Sequence, residues 1–157
     1  MDGMLGSLAR WLRMLGYETE YDTKLDDNSL LQTSMQPETV LLTRDEELYK
    51  RAKAKSVNSV LVHGETEQER LAQLAKILGI NLEIDDTGTR CPECGSVLNQ
   101  ISGPAASLNL AAASLKTHDK YWRCTNGACR KTYWVGSHWK QIRRKLEEAR
   151  KIAAQER

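Results

Sequence analysis

Four cysteines, arranged as two close pairs, constrain this chain more than any other feature. Cys91 and Cys94 flank a Pro-Glu dipeptide, and Cys124 and Cys129 follow much later with a wider loop between them. Each pair can form a short turn whose two thiolates converge on one ion, which is the ligand layout of a tetrahedral Zn²⁺ site. The spacing therefore predicts one structural zinc site with four thiolate ligands.

Disulfides or free thiols are the alternative use of these cysteines. The sequence shows no secretory signal and carries 23 Lys and Arg residues and 21 Asp and Glu residues. These features favour a cytoplasmic protein, in which disulfides rarely persist. We therefore expect zinc in preference to disulfides. No apolar run approaches the roughly 18 residues that a membrane span requires, so we expect no membrane association.

The charge is distributed unevenly along the chain. Residues 1–88 carry 10 Lys and Arg and 16 Asp and Glu, a net charge of −6, whereas residues 89–157 carry 13 and 5, a net charge of +8. A basic segment that contains tryptophans is typical of proteins that bind a polyanion. For residues 1–88, a solvated acidic surface is the simpler interpretation. The uneven charge alone therefore does not show whether these acids have a function.

The spacing of apolar residues predicts alternating helices and strands before the first cysteine pair. Apolar residues at helical spacing predict helices over 5–15, 44–54 and 65–78, and a further helix ends before Pro37. Strands are predicted over 17–23, 40–43 and 57–62, and residues 80–84 are predicted as a final strand or as the lead into the metal module. This alternation indicates an α/β layer with a mostly parallel sheet. Beyond the second cysteine pair, a strand over 132–135 and a basic helix over 140–154 are predicted.

Three acidic positions fall at or just after the ends of predicted elements. They are Asp2, Asp27 (or its neighbour Asp26) and Asp45. In an open parallel sheet, functional groups gather at the carboxyl ends of the strands, and converging carboxylates bind Mg²⁺ or Mn²⁺. An Asp that precedes a helix is also an ordinary N-cap, so each of these residues alone favours a capping role.

Aromatic and basic residues are interleaved in the segment after the first cysteine pair. Trp122, Tyr133, Trp134 and Trp139 alternate with Arg and Lys residues, which is the composition of a surface that stacks bases and binds phosphates. The alternative is a small module that uses large aromatic side chains for its core; we expect Trp134 inside and Trp139 exposed. The candidate RNA-binding residues are Arg123, Arg130, Lys131, His138, Trp139, Lys140, Arg143 and Arg144. No GxGxxG, GxxxxGK[ST] or GxSxG motif occurs, so no nucleotide cofactor is expected.

Three separated motifs resemble the Mut-seven C-terminal ribonuclease family. They are the stretch from Asp2 to Tyr17, the Leu-Leu-Thr-Arg-Asp stretch that ends at Asp45, and the two cysteine pairs together with residues 133–139. The resemblance implies a PIN-like three-layer α/β/α nuclease domain over residues 1–87. It further implies a zinc ribbon with a basic C-terminal helix over residues 88–157.

The resemblance also implies an activity and its residues. Members of this family cleave RNA with Mg²⁺ or Mn²⁺ held by acidic residues, which correspond here to Asp2, Asp27 and Asp45, with Glu47 as a further catalytic acid. RNA is the implied partner, with ribosomal RNA and tRNA among the candidates. The alternative is a non-catalytic RNA-binding or ribosome-binding zinc-ribbon protein with a vestigial acidic site.

Overall fold

A computed structural model describes Met1 and residues 3–85, 87–102 and 120–155 of the chain. After a short 3₁₀ helix (Gly3–Leu5), the amino-terminal part contains four α-helices and two strands in the described residues: α1 (Gly6–Met14), α2 (Asp27–Thr33), β1 (Leu41–Thr43), α3 (Glu46–Ala54), β2 (Ser59–Leu61) and α4 (Glu67–Leu78). The described elements that follow are β3 (Leu98–Ile101), β4 (Tyr121–Cys124), β5 (Thr132–Trp134) and α5 (His138–Gln155). None of the described helices has the length and apolar character needed to cross a membrane.

Two separate sheets organise these elements. Strands β1 and β2 pair in parallel, with Leu41 opposite Ser59, as expected for two strands joined through a helix. Strands β3, β4 and β5 form an antiparallel sheet in that order, beside the cysteines. The chain is therefore a mixed α/β protein with a small parallel sheet and a distinct antiparallel sheet.

Two of the predicted strands, over 17–23 and 80–84, are not formed, and local hydrogen bonds give the reason. The Thr19 carbonyl accepts from a buried guanidinium, and the Glu20 carbonyl accepts from the terminal amine at 3.2 Å. The Asn81 amide donates to the Tyr17 hydroxyl at 2.7 Å, and the Asn81 side chain accepts from the Glu83 amide. Backbone groups used in this way cannot form a strand ladder, so the alternation of side chains over these segments was misleading.

The main hydrophobic core lies where α1, α4 and α5 meet. Leu8 and Leu12 of α1 pack with Leu71 and Leu74 of α4, and Leu146 of α5 belongs to the same buried cluster. Helix α5 is strongly amphipathic, and it buries its apolar stripe on α4. A second cluster under α2 and α3 contains Leu30, Leu31, Leu41, Leu48, Ala52 and Val57.

A polar contact accompanies this core at the junction of three helices. Glu67, at the start of α4, accepts hydrogen bonds from the Ser7 hydroxyl and, at 2.8 Å, from the Trp11 indole. Lys145 of α5 reaches the same carboxylate at 3.2 Å. A partly buried carboxylate with several donors is satisfied rather than left unpaired, so Glu67 joins α1, α4 and α5 at one point.

A buried arginine attaches the cysteine-bearing part to the rest of the molecule. Arg13, only 5% exposed at the end of α1, donates to the Thr19 carbonyl and to the carbonyls of Pro92 and Glu93, at 3.0–3.1 Å for the last two. Gly95 makes room for it: a Cβ there would lie 3.1 Å from Arg13 Nε, and the backbone at this position has a φ of +77°. The five fixed donors of a guanidinium suit such a multiple contact.

Candidate metal centre and acidic site

The four cysteine side chains converge on one point between the two turns that carry them. Their sulfur atoms all lie within 4.8 Å of one another. The Sγ atoms of Cys91 and Cys129 are 3.8 Å apart, and those of Cys94 and Cys124 are 3.3 Å apart. Four thiolates around zinc, each at about 2.3 Å, would be separated by roughly 3.8 Å. The cysteines are therefore placed as a tetrahedral thiolate site requires.

The disulfide alternative is wrong for this structure. All four cysteines are free, and the separations between their sulfur atoms far exceed a disulfide bond of about 2.05 Å. The structure instead supports the use of the cysteines as a group, which is consistent with a zinc ribbon.

Burial and hydrogen bonds act in opposite directions on the pKa values of the cysteine thiols. Although burial alone would raise it, hydrogen bonds from Ser96 lower the pKa of Cys94 to about 6. Burial raises the pKa of Cys124 to about 12, against a backbone hydrogen bond from Asn126. Backbone N–H groups directed at sulfur stabilise negative charge there, so the turns are built to hold thiolates once an ion shares their charge.

Tyr133 provides a further contact to this site that the sequence analysis did not identify. Its hydroxyl lies 3.1 Å from Cys91 Sγ. Burial, and then the hydrogen bond to Cys91, raise the pKa of Tyr133, so that the hydroxyl keeps its proton and donates to the sulfur. Groups of this kind orient metal ligands and tune their basicity. Position 133 opposes Trp122 in the sheet, a pairing that a single sequence does not reveal.

Asp45 lies directly beyond β1, as predicted, and it is the N-cap of α3. Its Oδ1 accepts from the Leu48 amide at 2.9 Å, while its own amide donates to the hydroxyl of the buried Thr43 at 2.9 Å. The cap uses one carboxylate oxygen and leaves Oδ2 without a hydrogen-bond partner in the described structure. The capping interpretation is thus confirmed, and it does not occupy the whole carboxylate.

The other predicted acids differ in their hydrogen-bond and ion-pair partners. Asp26, not Asp27, caps α2 by accepting from the Ser29 amide at 2.8 Å, and this backbone hydrogen bond lowers the pKa of Asp26. Asp27 forms an ion pair with Arg51 of α3 at 2.9 Å. Glu47 is exposed in the first turn of α3. Asp2 lies outside the described residues, so its role stays a prediction.

These acids do not form a metal-ligand cluster in the part of the chain that the structure describes. The one group of three or more candidate ligands found there is the cysteine group. The Mg²⁺ or Mn²⁺ site predicted for Asp2, Asp27 and Asp45 therefore depends on a residue that is not described and on the release of Asp27 from Arg51.

The candidate RNA-binding residues fall into two groups. Lys131 and Arg144 are engaged by carboxylates, with Glu93 at 3.5 Å and Glu148 at 3.1 Å, and Arg123 is partly buried in β4. Four others are exposed after Cys129 or around the start of α5: Arg130, His138, Lys140 and Arg143. Trp139, in the same turn, is partly buried, with its ring centre 5.9 Å from the Arg143 guanidinium.

The expected placement of two tryptophans is wrong. Trp134, predicted to be inside, is 38% exposed, whereas Trp139, predicted to be exposed, is partly buried with its indole nitrogen covered. Trp134 sits on β5, an edge strand of the described sheet, and Trp139 lies in the first turn of α5 near the ribbon. Trp134 is exposed because its strand is at the edge of the sheet, and Trp139 is partly buried because its helix packs there. Both causes depend on tertiary structure, which the local sequence does not reveal.

Comparison with known proteins gives one finding. A family model described as Mut7-C RNAse domain matches residues 1–146, from the first residue through the cysteine pairs and into α5. Searches of curated proteins and of solved structures gave no match.

Proposed function

Because the chain belongs to the Mut7-C RNAse domain family, we propose that it is a ribonuclease that hydrolyses RNA phosphodiester bonds with Mg²⁺ or Mn²⁺. The match over residues 1–146 is the observation that carries this proposal, since it includes the Asp45 motif and the cysteine pairs in one alignment. RNA, with ribosomal RNA and tRNA among the candidates, is the proposed substrate.

The proposed architecture is a PIN-like three-layer nuclease domain over residues 1–87, followed by a zinc ribbon with a basic helix over residues 88–157. The parallel pair β1 and β2, joined through α3, supports the first part. The antiparallel sheet beside four convergent cysteines supports the second. We propose Zn²⁺ as the resident ion of the cysteine group, because four thiolates complete a tetrahedral shell.

In the proposed reaction, the acids act at the carboxyl end of β1. Asp45 is held in place by its hydrogen bonds to Leu48 and Thr43 and presents its second oxygen. Asp2 and Asp27 would complete the ligand set, and Glu47, exposed in the first turn of α3, is the further acid. A bound divalent ion would supply an activated water and neutralise charge on the phosphodiester. Asp27 contributes only when its pairing with Arg51 is exchanged for the ion.

A non-catalytic RNA-binding protein is the second candidate. One observation favours it: Asp45 already caps α3, and Asp27 is already paired with Arg51, so both acids have a structural task. In that case the ribbon and α5 would bind RNA, and the acidic positions would be vestigial.

A cleavage assay on single-stranded RNA with Mn²⁺ tests the proposal through Asp45→Asn. The amide keeps the N-cap because its oxygen can still accept from Leu48, but it weakens the hard-ion site. We expect cleavage to fall to the level seen without added divalent ion, with an unchanged circular dichroism spectrum. Asp85→Asn is the matched control: its exposed carboxylate accepts only from its own turn, at Thr87.

Two results would contradict the ribonuclease proposal. Cleavage by Asp45→Asn equal to that of the unsubstituted protein would assign the activity to another site. RNA binding without any cleavage, with Mg²⁺ or with Mn²⁺, would favour the non-catalytic candidate.

A further inference from the structure

An aromatic cleft lies between the ribbon sheet and the start of α5. It has a volume of about 410 Å³, and its walls include Trp122, Tyr133, Trp134, Val135, His138 and Trp139. This size is within the range of about 300–1,000 Å³ that small-ligand pockets occupy. The family match does not assign any ligand to it.

One rim of this aromatic cleft is unusually apolar for a surface. Trp134 is 38% exposed and Val135 is 40% exposed, next to each other in the chain. Gly136 allows the indole to lie where it does, because a Cβ at that position would be 3.1 Å from Trp134 Nε1. A large aromatic ring held at a rim in this way offers a flat face for stacking.

The surroundings of the cleft carry positive charge that is not neutralised locally. No Asp or Glu is among its described lining residues, and the first turn of α5 contains no acid. His138 and Lys140 are exposed and have no ion-pair partner in the described structure, and Arg143 lies over Trp139. Farther along α5, by contrast, Lys145 and Arg150 are paired with acids of the amino-terminal part. The start of an 18-residue helix adds the positive end of its dipole.

We propose that the aromatic cleft seats an unstacked base of a single-stranded RNA, with the adjacent phosphate at the start of α5. A nucleotide combines the two properties that the cleft matches, a flat aromatic face and a negative charge. A second copy that docked through this same face would bring its own segment of net charge +8 to it, and like charges oppose such docking. The inference rests on the proposed function for its choice of RNA.

Fluorescence anisotropy with a labelled single-stranded oligonucleotide, measured on the full chain without added divalent ions, tests this inference. Trp134→Leu keeps an apolar side chain but removes the aromatic face, and we expect it to weaken binding roughly tenfold or more. Trp134→Phe keeps a stacking surface and should retain most of the affinity. The dependence of affinity on salt should be the same for Trp134→Leu as for the unsubstituted protein, because no phosphate contact is lost. Tyr49→Ala, on α3 and away from the cleft, is the control and should leave binding unchanged.

The outcomes separate this inference from the proposed function. If the unsubstituted protein binds and cleaves RNA while Trp134→Leu binds equally well, the base-seating role is overturned and the ribonuclease stands. If Trp134→Phe and Trp134→Leu lose affinity equally and both unfold at lower temperature, Trp134 is a packing residue and the inference is likewise overturned. If Trp134→Leu weakens binding but Asp45→Asn cleaves normally, the cleft is supported and the proposed catalytic site is not. Failure of the unsubstituted protein to bind any single strand would overturn both.

Discussion

At the scale of single residues, Tyr133 has the most specific role outside the cysteines. Its hydroxyl lies 3.1 Å from Cys91 Sγ, within reach to donate to a thiolate at that position. A donor on a metal-bound thiolate offsets part of the negative charge that four thiolates place around one ion. With an ion held by the four cysteines, Tyr133 would therefore be a positioning residue and not a ligand.

Removing this hydroxyl should weaken zinc binding and leave the fold intact. For Tyr133→Phe we expect about a tenfold loss of zinc affinity, the lower end of the effect of removing such a partner. Competition with a chromophoric chelator would measure it, and the Co²⁺-substituted protein should show a shifted thiolate charge-transfer band. Tyr21→Phe, which removes a hydroxyl that donates to the Gly3 carbonyl, should bind zinc normally. Equal zinc affinities for both variants and the unsubstituted protein would show that the contact has no such effect.

The sequence predicted correctly that the four cysteines come together, but it predicted wrongly which of two tryptophans is exposed. Ligand spacing is a local property, because two thiolates on one short turn are close in any fold, and the turns at Cys91 and Cys124 behave accordingly. Whether Trp134 or Trp139 is covered depends on which strand is at the edge and where α5 docks. Arg13 is a further example: nothing in its neighbourhood along the chain indicates that it is buried or that it contacts Pro92.

At the scale of elements, helix ends determine most of what was predicted correctly. The predicted helix over 65–78 ends where α4 ends, at Leu78, and Gly79 follows with a φ of +67°. Its start lies two residues later than predicted, because Thr66 and Glu69 form a capping box in which each side chain accepts from the other residue's amide. The strands fared worse because β-pairing depends on a partner strand. The two alternating segments that lack one, 17–23 and 80–84, are irregular.

The capping box of α4 also gives a prediction about pH. Hydrogen bonds from the backbone of Thr66 and then of Glu65 lower the pKa of Glu69 below its ordinary value of 4.5. The carboxylate therefore adds stability above its ordinary pKa, and this contribution is lost as the pH falls through the lowered pKa. The difference in unfolding free energy between the unsubstituted protein and Glu69→Ala should narrow as urea unfolding is repeated from pH 7 towards acid.

Thr66→Ala is the matched control for that experiment, since it removes the other half of the same box. Its cost of about 1 kcal/mol should change less with pH than that of Glu69→Ala, because the Thr66 hydroxyl does not titrate and its side chain is only a minor cause of the lowered pKa of Glu69. Loss of zinc in acid would affect all three proteins alike, so the differences between them remain comparable. If the difference in unfolding free energy between the unsubstituted protein and Glu69→Ala stayed constant with pH, the stabilising role of the Glu69 carboxylate would be contradicted.

At the scale of the whole molecule, the two sheets are joined by contacts rather than by a linker. Arg13 fixes the first cysteine turn to the end of α1, and the Arg90 amide donates to the Arg13 carbonyl at 2.9 Å. On the other side, α5 packs against α4 and Arg150 pairs with Glu83 at 3.0 Å. After the antiparallel sheet, the chain thus returns to pack against its amino-terminal part. The predicted division into two parts at residue 87 did not include this contact, although it is compatible with it.

Arg13→Lys should destabilise the zinc-loaded protein. An ammonium cannot reach three carbonyls in the directions that the guanidinium fork does, and buried acceptors without donors cost about 1–3 kcal/mol. Arg10→Lys is the control, because the Arg10 side chain is 60% exposed and its pairing with Glu93 spans 3.5 Å; it should change the unfolding free energy by less than about 1 kcal/mol. If both substitutions changed the free energy of unfolding in urea by the same amount, the hydrogen bonds of the buried Arg13 guanidinium would add no stability beyond that of an exposed arginine.

The attachment through Arg13 has a consequence for avidity. Where two binding modules are tethered flexibly, the second contact forms at an effective concentration that the tether sets, and part of the binding energy goes into ordering it. Here the aromatic cleft and the carboxyl end of β1 belong to parts that Arg13 and α5 already hold against each other. For an RNA strand that spans both places, the second contact would form without the cost of ordering a tether.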